Sequence, residues 1–218
     1  MKRLKDFFKK EKKFIITIAV LMIGQAILYW VLKLFQSNPI YINYYLDDKI
    51  PFLGWFVYIY DTFYPFFLIA FYLLYKKNEE AYFKGLISCA IGIIICDIIF
   101  LSLPTIMYRP VIPNYDPLTN LVLKITFLYD EPPLNCFPSI HCLFCFQVIY
   151  SFLFSNYNVK GKVIIITYSL LIIFSTLFIK QHFIYDAISA FLICLMTNLI
   201  ENLFQIYKRL KKKYYKKI

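Results

Sequence analysis

The chain of 218 residues contains only two histidines, His141 and His182, and each has neighbours that can make an imidazole reactive. His182 and Asp186 are four positions apart, so on a helix they share one face. An aspartate that accepts a hydrogen bond from one imidazole nitrogen fixes the tautomer and leaves the other nitrogen nucleophilic. His141 ends the segment Pro138-Ser139-Ile140-His141. Proline suits the first turn of a helix, where free N–H groups favour an anion. Ser139 adds a hydroxyl there, and His141 stands slightly deeper as a proton donor. Arg109 offers a planar fork for phosphate oxygens, and Lys180 a second positive charge. The chemistry these residues permit is phosphoryl transfer. His182, His141 and Asp186 are the catalytic set, and Arg109, Ser139 and Lys180 the phosphate-binding set. The sequence has no carboxylate cluster suited to magnesium, so neither a metal nor another cofactor is expected.

These residues need a scaffold, and the composition points to a bilayer. Hydrophobic residues are 61% of the chain and charged residues 17%, far from the balance of a water-soluble domain. About 20 apolar residues cross the hydrocarbon core. Six stretches are candidates: Phe14–Phe35, Trp55–Tyr75, Gly85–Leu103, Pro138–Phe154, Val163–Ile179 and Phe183–Tyr207. The first is too long for a signal peptide and lacks a small-residue cleavage site, so it is expected to be retained. The sequence therefore predicts an all-α integral membrane protein, a six-transmembrane-helix bundle in a single domain over residues 1–218. In a six-span chain, nineteen of the 24 Lys and Arg fall on one side. They include the basic tails 1–13 and 208–218, so the positive-inside rule places both termini in the cytoplasm. The net charge of +11 is read as a topology signal that also attracts anionic lipid, not as a nucleic-acid surface.

With that orientation the long loops Gln36–Gly54 and Pro104–Phe137 lie outside, and loops of this length carry function or lie along the membrane. Arg109, the Pro138–His141 segment and the Lys180–Asp186 segment all return to that outer face. Ionisable groups at membrane depth are expensive, which makes functional use the default reading. Asp61 and Asp97 sit inside spans two and three, and one of them is expected to pair with Lys180 or Arg109. Glu201, near the cytoplasmic end, is expected to be solvated or to cap a helix. Five of the six cysteines fall within spans as small apolar fillers, the Cys142-x-x-Cys145 pair included.

In order along the chain, "SLPTIMYRP" (102–110), "PSIH" (138–141) and "STLFIKQHFIYD" (175–186) resemble the three-part signature of the type-2 phosphatidic acid phosphatase (lipid phosphate phosphatase) superfamily. The resemblance covers roughly residues 85–195. It implies that His182 attacks phosphorus and forms a phosphohistidine while Asp186 orients it. It also implies that His141 protonates the leaving oxygen and then activates the acceptor. Arg109 and Ser139 would bind phosphate oxygens, and no metal is implied. Two positions depart from the signature: Ser102 stands where the family has lysine, and Thr176 where it has arginine. In the third segment the chain looks closer to the subset containing inositol phosphorylceramide synthases, which has threonine and no arginine there. Lys180 is expected to restore one of the lost charges.

The resemblance implies a membrane lipid phosphatase acting on a phosphomonoester or pyrophosphate of an isoprenoid or glycerolipid. Its setting would be the plasma membrane, with the site on the extracytoplasmic side, or the lumenal side in a eukaryote. Its partners are then a phosphorylated lipid and the bilayer, with no nucleic acid. One alternative is a lipid phosphotransferase that passes a phospho-headgroup to an alcohol. Another is a non-catalytic lipid-binding protein that retains the fold.

Overall fold

The computed structural model describes residues 10–215. The outermost parts of the two basic tails, residues 1–9 and 216–218, lie outside the described residues. Helix α1 (Lys12–Lys33) leads into a loop containing β1 (Ile40–Tyr41). Two short helical turns, Gly54–Phe56 and Val57–Tyr60, run into α2 (Phe63–Lys77), and α3 is Glu79–Ser102. After β2 (Thr105–Ile106) come α4 (Pro117–Tyr129), α5 (Ile140–Leu153), α6 (Val159–Phe178), α7 (Ile184–Phe204) and α8 (Ile206–Tyr215). Five of these segments are long and apolar enough to cross a membrane, taking Gly54–Lys77 as one; α5 is a shorter apolar helix. At 14 residues, α5 extends only about 21 Å at ~1.5 Å per residue.

The sequence marks most of these boundaries with side chains that satisfy the orphan N–H groups of a first turn. Asn78 ends α2 and caps α3 by accepting from Ala81 N. Asp116 caps α4, with Pro117 behind it, and Asn158 caps α6. The Asp116 carboxyl is held below the usual carboxylate range by the Thr119 hydroxyl and backbone N–H groups. Helix α4 falls within Pro104–Phe137, the stretch expected to be a long loop that carries function or lies along the membrane. Its Asp-Pro start is the signal that marks it, and 13 residues are too few for a span.

The inward faces of the long helices bury Phe63, Phe67, Phe71, Tyr82, Phe144 and Phe152, while outward faces expose Ile23, Ile94, Ile98, Leu192 and Leu199. That is the inverse of a water-soluble bundle and suits hydrocarbon solvent. Close helix approach depends on small residues. A Cβ on Gly92 of α3 would come within 2.9 Å of the Leu143 side chain of α5, and one on Gly85 within 2.5 Å of Ser151 Oγ. Between α5 and α7, Gln147 Nε2 donates to Thr197 Oγ1 at 2.8 Å, and Asn198 Nδ2 donates to Gln147 Oε1 at 2.8 Å. This network lets polar groups stay at bundle depth by pairing with each other. At the end of α7, Gln205 takes a left-handed conformation and the chain turns into the basic α8. Glu201 is buried and accepts from Tyr207 N, so it caps α8 and is not solvated.

The other end of the bundle is rich in loops. Strands β1 and β2 pair in parallel, Ile40 with Thr105 and Tyr41 with Ile106, and tie the two long loops together. Both histidines lie at this end, where α5 and α7 begin.

Candidate active site

The stretch 179–183 joins α6 to α7. Its path is set by Lys180, which has φ +55° in the left-handed region, and by hydrogen bonds from Gln181 N and His182 N to Thr176 O. The turn brings His182 to the position just before Phe183, the cap of α7, and not onto the helix itself. There His182 Nδ1 lies 3.2 Å from Asp186 Oδ2 and 3.1 Å from the Cys136 carbonyl oxygen. Both neighbours are acceptors, so Nδ1 carries the proton and Nε2 keeps its lone pair. Asp186 Oδ2 also accepts from Phe183 N at 2.9 Å. The carboxylate thus fixes the imidazole and the start of α7 together.

Ser139 N donates to Asp186 O at 3.2 Å, which locks the start of α5 against α7. The two imidazole centroids are then 5.7 Å apart. His141 stands among aromatic rings, with Phe63 at 4.7 Å and Tyr60 at 5.1 Å between centroids. The Tyr60 hydroxyl lies 3.3 Å from His141 Nε2. Both histidines face one cavity of about 330 Å³, whose wall also includes Tyr29, Tyr60, Asp130 and Gln181. Much of the remaining wall is apolar, from Met22, Trp30, Ile125 and Phe144.

Arg109 is not among the residues of this wall; it is tied to it through Asp130, which is. Its Nη2 donates to Asp130 Oδ2 at 2.7 Å, and the guanidinium covers the Phe127 ring at 4.6 Å. Its Nε and Nη1 are buried without a partner among the described residues, as is Gln181 Nε2. Buried donors of this kind cost free energy unless an acceptor meets them; Gln181 stands in the cavity wall with the two imidazoles, and Arg109 is bonded to Asp130 of that wall. Gln181 and Tyr60 were not legible as site residues. A glutamine beside a histidine and a tyrosine among many carry no distinctive spacing.

Three expectations need correction. Lys180 does not join the cavity: its Nζ donates to the carbonyls of Asp47 and Ile50, each at 2.7 Å. Its left-handed backbone turns the side chain toward the 47–50 loop, and burial pulls the ammonium below the ordinary lysine value despite nearby Asp47 and Asp48. Ser139 is fully buried and its Oγ accepts from Cys142 N at 3.1 Å, so it serves as the cap of α5. Neither Asp61 nor Asp97 meets Lys180 or Arg109. Asp61 accepts from the Thr126 hydroxyl at 3.1 Å, and Asp97 Oδ1 has no hydrogen-bond partner among the described residues. The carboxylate that meets Arg109 is Asp130, from the loop after α4.

His141 and His182, from the second and third segments, share one cavity, and Arg109 of the first is bonded to Asp130 in its wall; the PAP2 superfamily model matches residues 25–200. The chain belongs to the PAP2 superfamily. No match was found among curated proteins or among solved structures. PAP2 membership gives a membrane protein with phosphatase-type chemistry on lipid phosphates. The match begins at Gln25, inside α1, so it also takes in helices ahead of the three signature segments.

Proposed function

We propose that this PAP2 protein is a lipid phosphatase working through a phosphohistidine on His182. The observation that supports it best is the His182–Asp186 pair, with Nδ1 held by two oxygens and the ring in the wall of a cavity shared with His141. His182 Nε2 attacks phosphorus, the N–P bond forms and the bond to the leaving oxygen breaks. His141 gives its proton to that oxygen. Asp186 stabilises the positive charge that His182 acquires. In the second half-reaction, His141 takes a proton from water, whose oxygen attacks phosphorus and releases the imidazole. The Arg109 guanidinium and the Gln181 amide supply N–H donors for the non-bridging oxygens, where charge is concentrated.

The apolar wall from Met22, Trp30, Ile125 and Phe144 suits a lipid chain. In the proposed topology six helices cross the bilayer, α5 included, with both termini cytoplasmic and the site at the extracytoplasmic face of the plasma membrane. A second reading, transfer to an alcohol, is favoured by Thr176, the position at which the chain resembles the inositol phosphorylceramide synthase subset. The same phosphohistidine then meets a hydroxyl group in place of water. A panel of lipid phosphates, with and without alcohol acceptors, separates the two readings. Free phosphate from wild type and none from His182→Ala supports hydrolysis; a new phosphodiester supports transfer. A His182→Ala protein as active as wild type overturns both.

A further inference from the structure

Arg109 is the cation expected to hold the phosphate, yet a carboxylate already grips it. Asp130 Oδ2 accepts from Arg109 Nη2 at 2.7 Å, and the Arg109 side chain is 9% exposed. An isolated Arg–Asp pair has no net charge and is a poor receptor for an anion. A third group changes that balance. Lys33, at the end of α1, donates through Nζ to Asp130 Oδ1 at 2.8 Å and to Pro132 O at 2.8 Å. Its side chain is only 4% exposed. The Tyr29 hydroxyl donates to the same Asp130 oxygen at 2.6 Å.

We infer that Lys33 and Asp130 are positioning residues that set the charge and orientation of Arg109 for phosphate binding. Asp130 takes Nη2 alone and leaves Nε and Nη1, both buried and without a partner among the described residues, as donors for the ligand. Lys33 cancels the Asp130 charge, so the three side chains together carry a formal +1 and not zero. This assigns to α1 a charge that the signature positions lack. Ser102 Oγ donates to Ile98 O at 2.8 Å, and Thr176 Oγ1 donates to Ile173 O at 2.8 Å, so both hydroxyls bond their own helices. Lys180, the other candidate cation, is held by the 47–50 loop. Lys33 has all its N–H groups directed at Asp130 and Pro132. It therefore acts through Arg109 and does not contact the phosphate.

The inference rests on the phosphatase reading, and the test separates the two. Purified full-length protein is titrated with inorganic phosphate by calorimetry, and hydrolysis of a lipid phosphomonoester is measured in parallel. Lys33→Met is expected to weaken phosphate binding and raise KM about tenfold, the order of effect of one unit charge in a partly buried site, with a smaller change in kcat. Lys33→Met combined with Asp130→Asn restores the +1 on Arg109 and is expected to recover most of that loss. Lys33→Arg keeps the charge and is expected to bind as wild type. If Lys33 only anchored the 130–132 loop, the double variant would bind no better than Lys33→Met, which overturns the inference. If Lys33→Met does not fold, the comparison of Asp130→Asn with wild type decides. Tighter phosphate binding by Asp130→Asn supports a charge role, and unchanged binding refutes it. Phosphate binding with this mutant pattern but no hydrolysis of any substrate would instead sink the phosphatase reading and leave the inference standing.

Discussion

Replacing Asp186 with asparagine tests how much of the reaction depends on the charge behind His182. Asp186 Oδ2 lies 3.2 Å from His182 Nδ1, and the Asp186 side chain is 1% exposed. Before attack the carboxylate serves as a hydrogen-bond acceptor for Nδ1. As the N–P bond forms, the ring becomes cationic, and the pair becomes a charge–charge contact. At ~4 Å and an effective dielectric of ~20 that contact is worth about 4 kcal/mol as an upper guide. A hydrogen bond to a charged group is worth about 1.5–3 kcal/mol in folded proteins. Asparagine keeps the volume and an acceptor oxygen, so the loss concentrates in the charged transition state. Taking ~3 kcal/mol, kcat should fall by about 10²-fold, since each ~1.4 kcal/mol is tenfold. KM should change little, because the substrate in the ground state does not touch Asp186. The assay is phosphate release from a lipid phosphomonoester in mixed micelles, with thermal unfolding followed on the same sample. Asparagine can still accept from Phe183 N, so the unfolding midpoint should stay near that of wild type. A kcat within about threefold of wild type, with normal folding, would refute the assigned role of the carboxylate.

Other substitutions separate the remaining parts. Arg109→Lys keeps a positive charge but loses the planar fork, and should raise KM and weaken vanadate inhibition about tenfold; equal KM values would remove Arg109 from the phosphate site. Lys180→Met breaks the two hydrogen bonds to the Asp47 and Ile50 carbonyls and should lower thermal stability while leaving KM unchanged. A raised KM with unchanged stability would return Lys180 to phosphate binding. Asn198→Leu removes the donor to Gln147 Oε1 and should destabilise the α5–α7 contact by about 0.6 kcal/mol, a typical value for polar pairs within a membrane bundle. A much larger loss would mean that the network also organises the active site.

Much of this arrangement was visible in residue types and their order. The His182–Asp186 spacing anticipated their contact, although His182 stands in the turn before α7 and not on the helix, and His141 and Arg109 both lie toward the loop-rich end of the bundle. Helix limits shifted by a few residues, as with α6, which begins at Val159 and not Val163. Those limits are set by caps such as Asn158, which a hydropathy pattern does not register. What was not visible depends on backbone direction. Lys180 is two residues from the nucleophile in sequence, but a left-handed φ at its own position sends its side chain to another loop. Lys33 reads as an ordinary basic residue flanking a span, and Asp130 as a loop acid. Only the packing of α1 against the loop after α4 brings them to Arg109, 76 and 21 positions away from it in sequence. Ser139 is the intermediate case. Its place before a helix was legible, but its hydroxyl is used by the helix cap.

The account depends on a covalent bond between phosphorus and one imidazole. Turnover of a labelled lipid phosphate by purified protein, quenched rapidly in alkali and digested for peptide mapping by mass spectrometry, tests it directly. The account predicts an acid-labile, base-stable phosphate on His182, absent from His182→Ala. It should accumulate when the acid–base residue is removed by His141→Ala and a substrate with a good leaving group is supplied. Phosphate on His141 or on another side chain, or complete turnover with no phosphoenzyme at any time point, would contradict it.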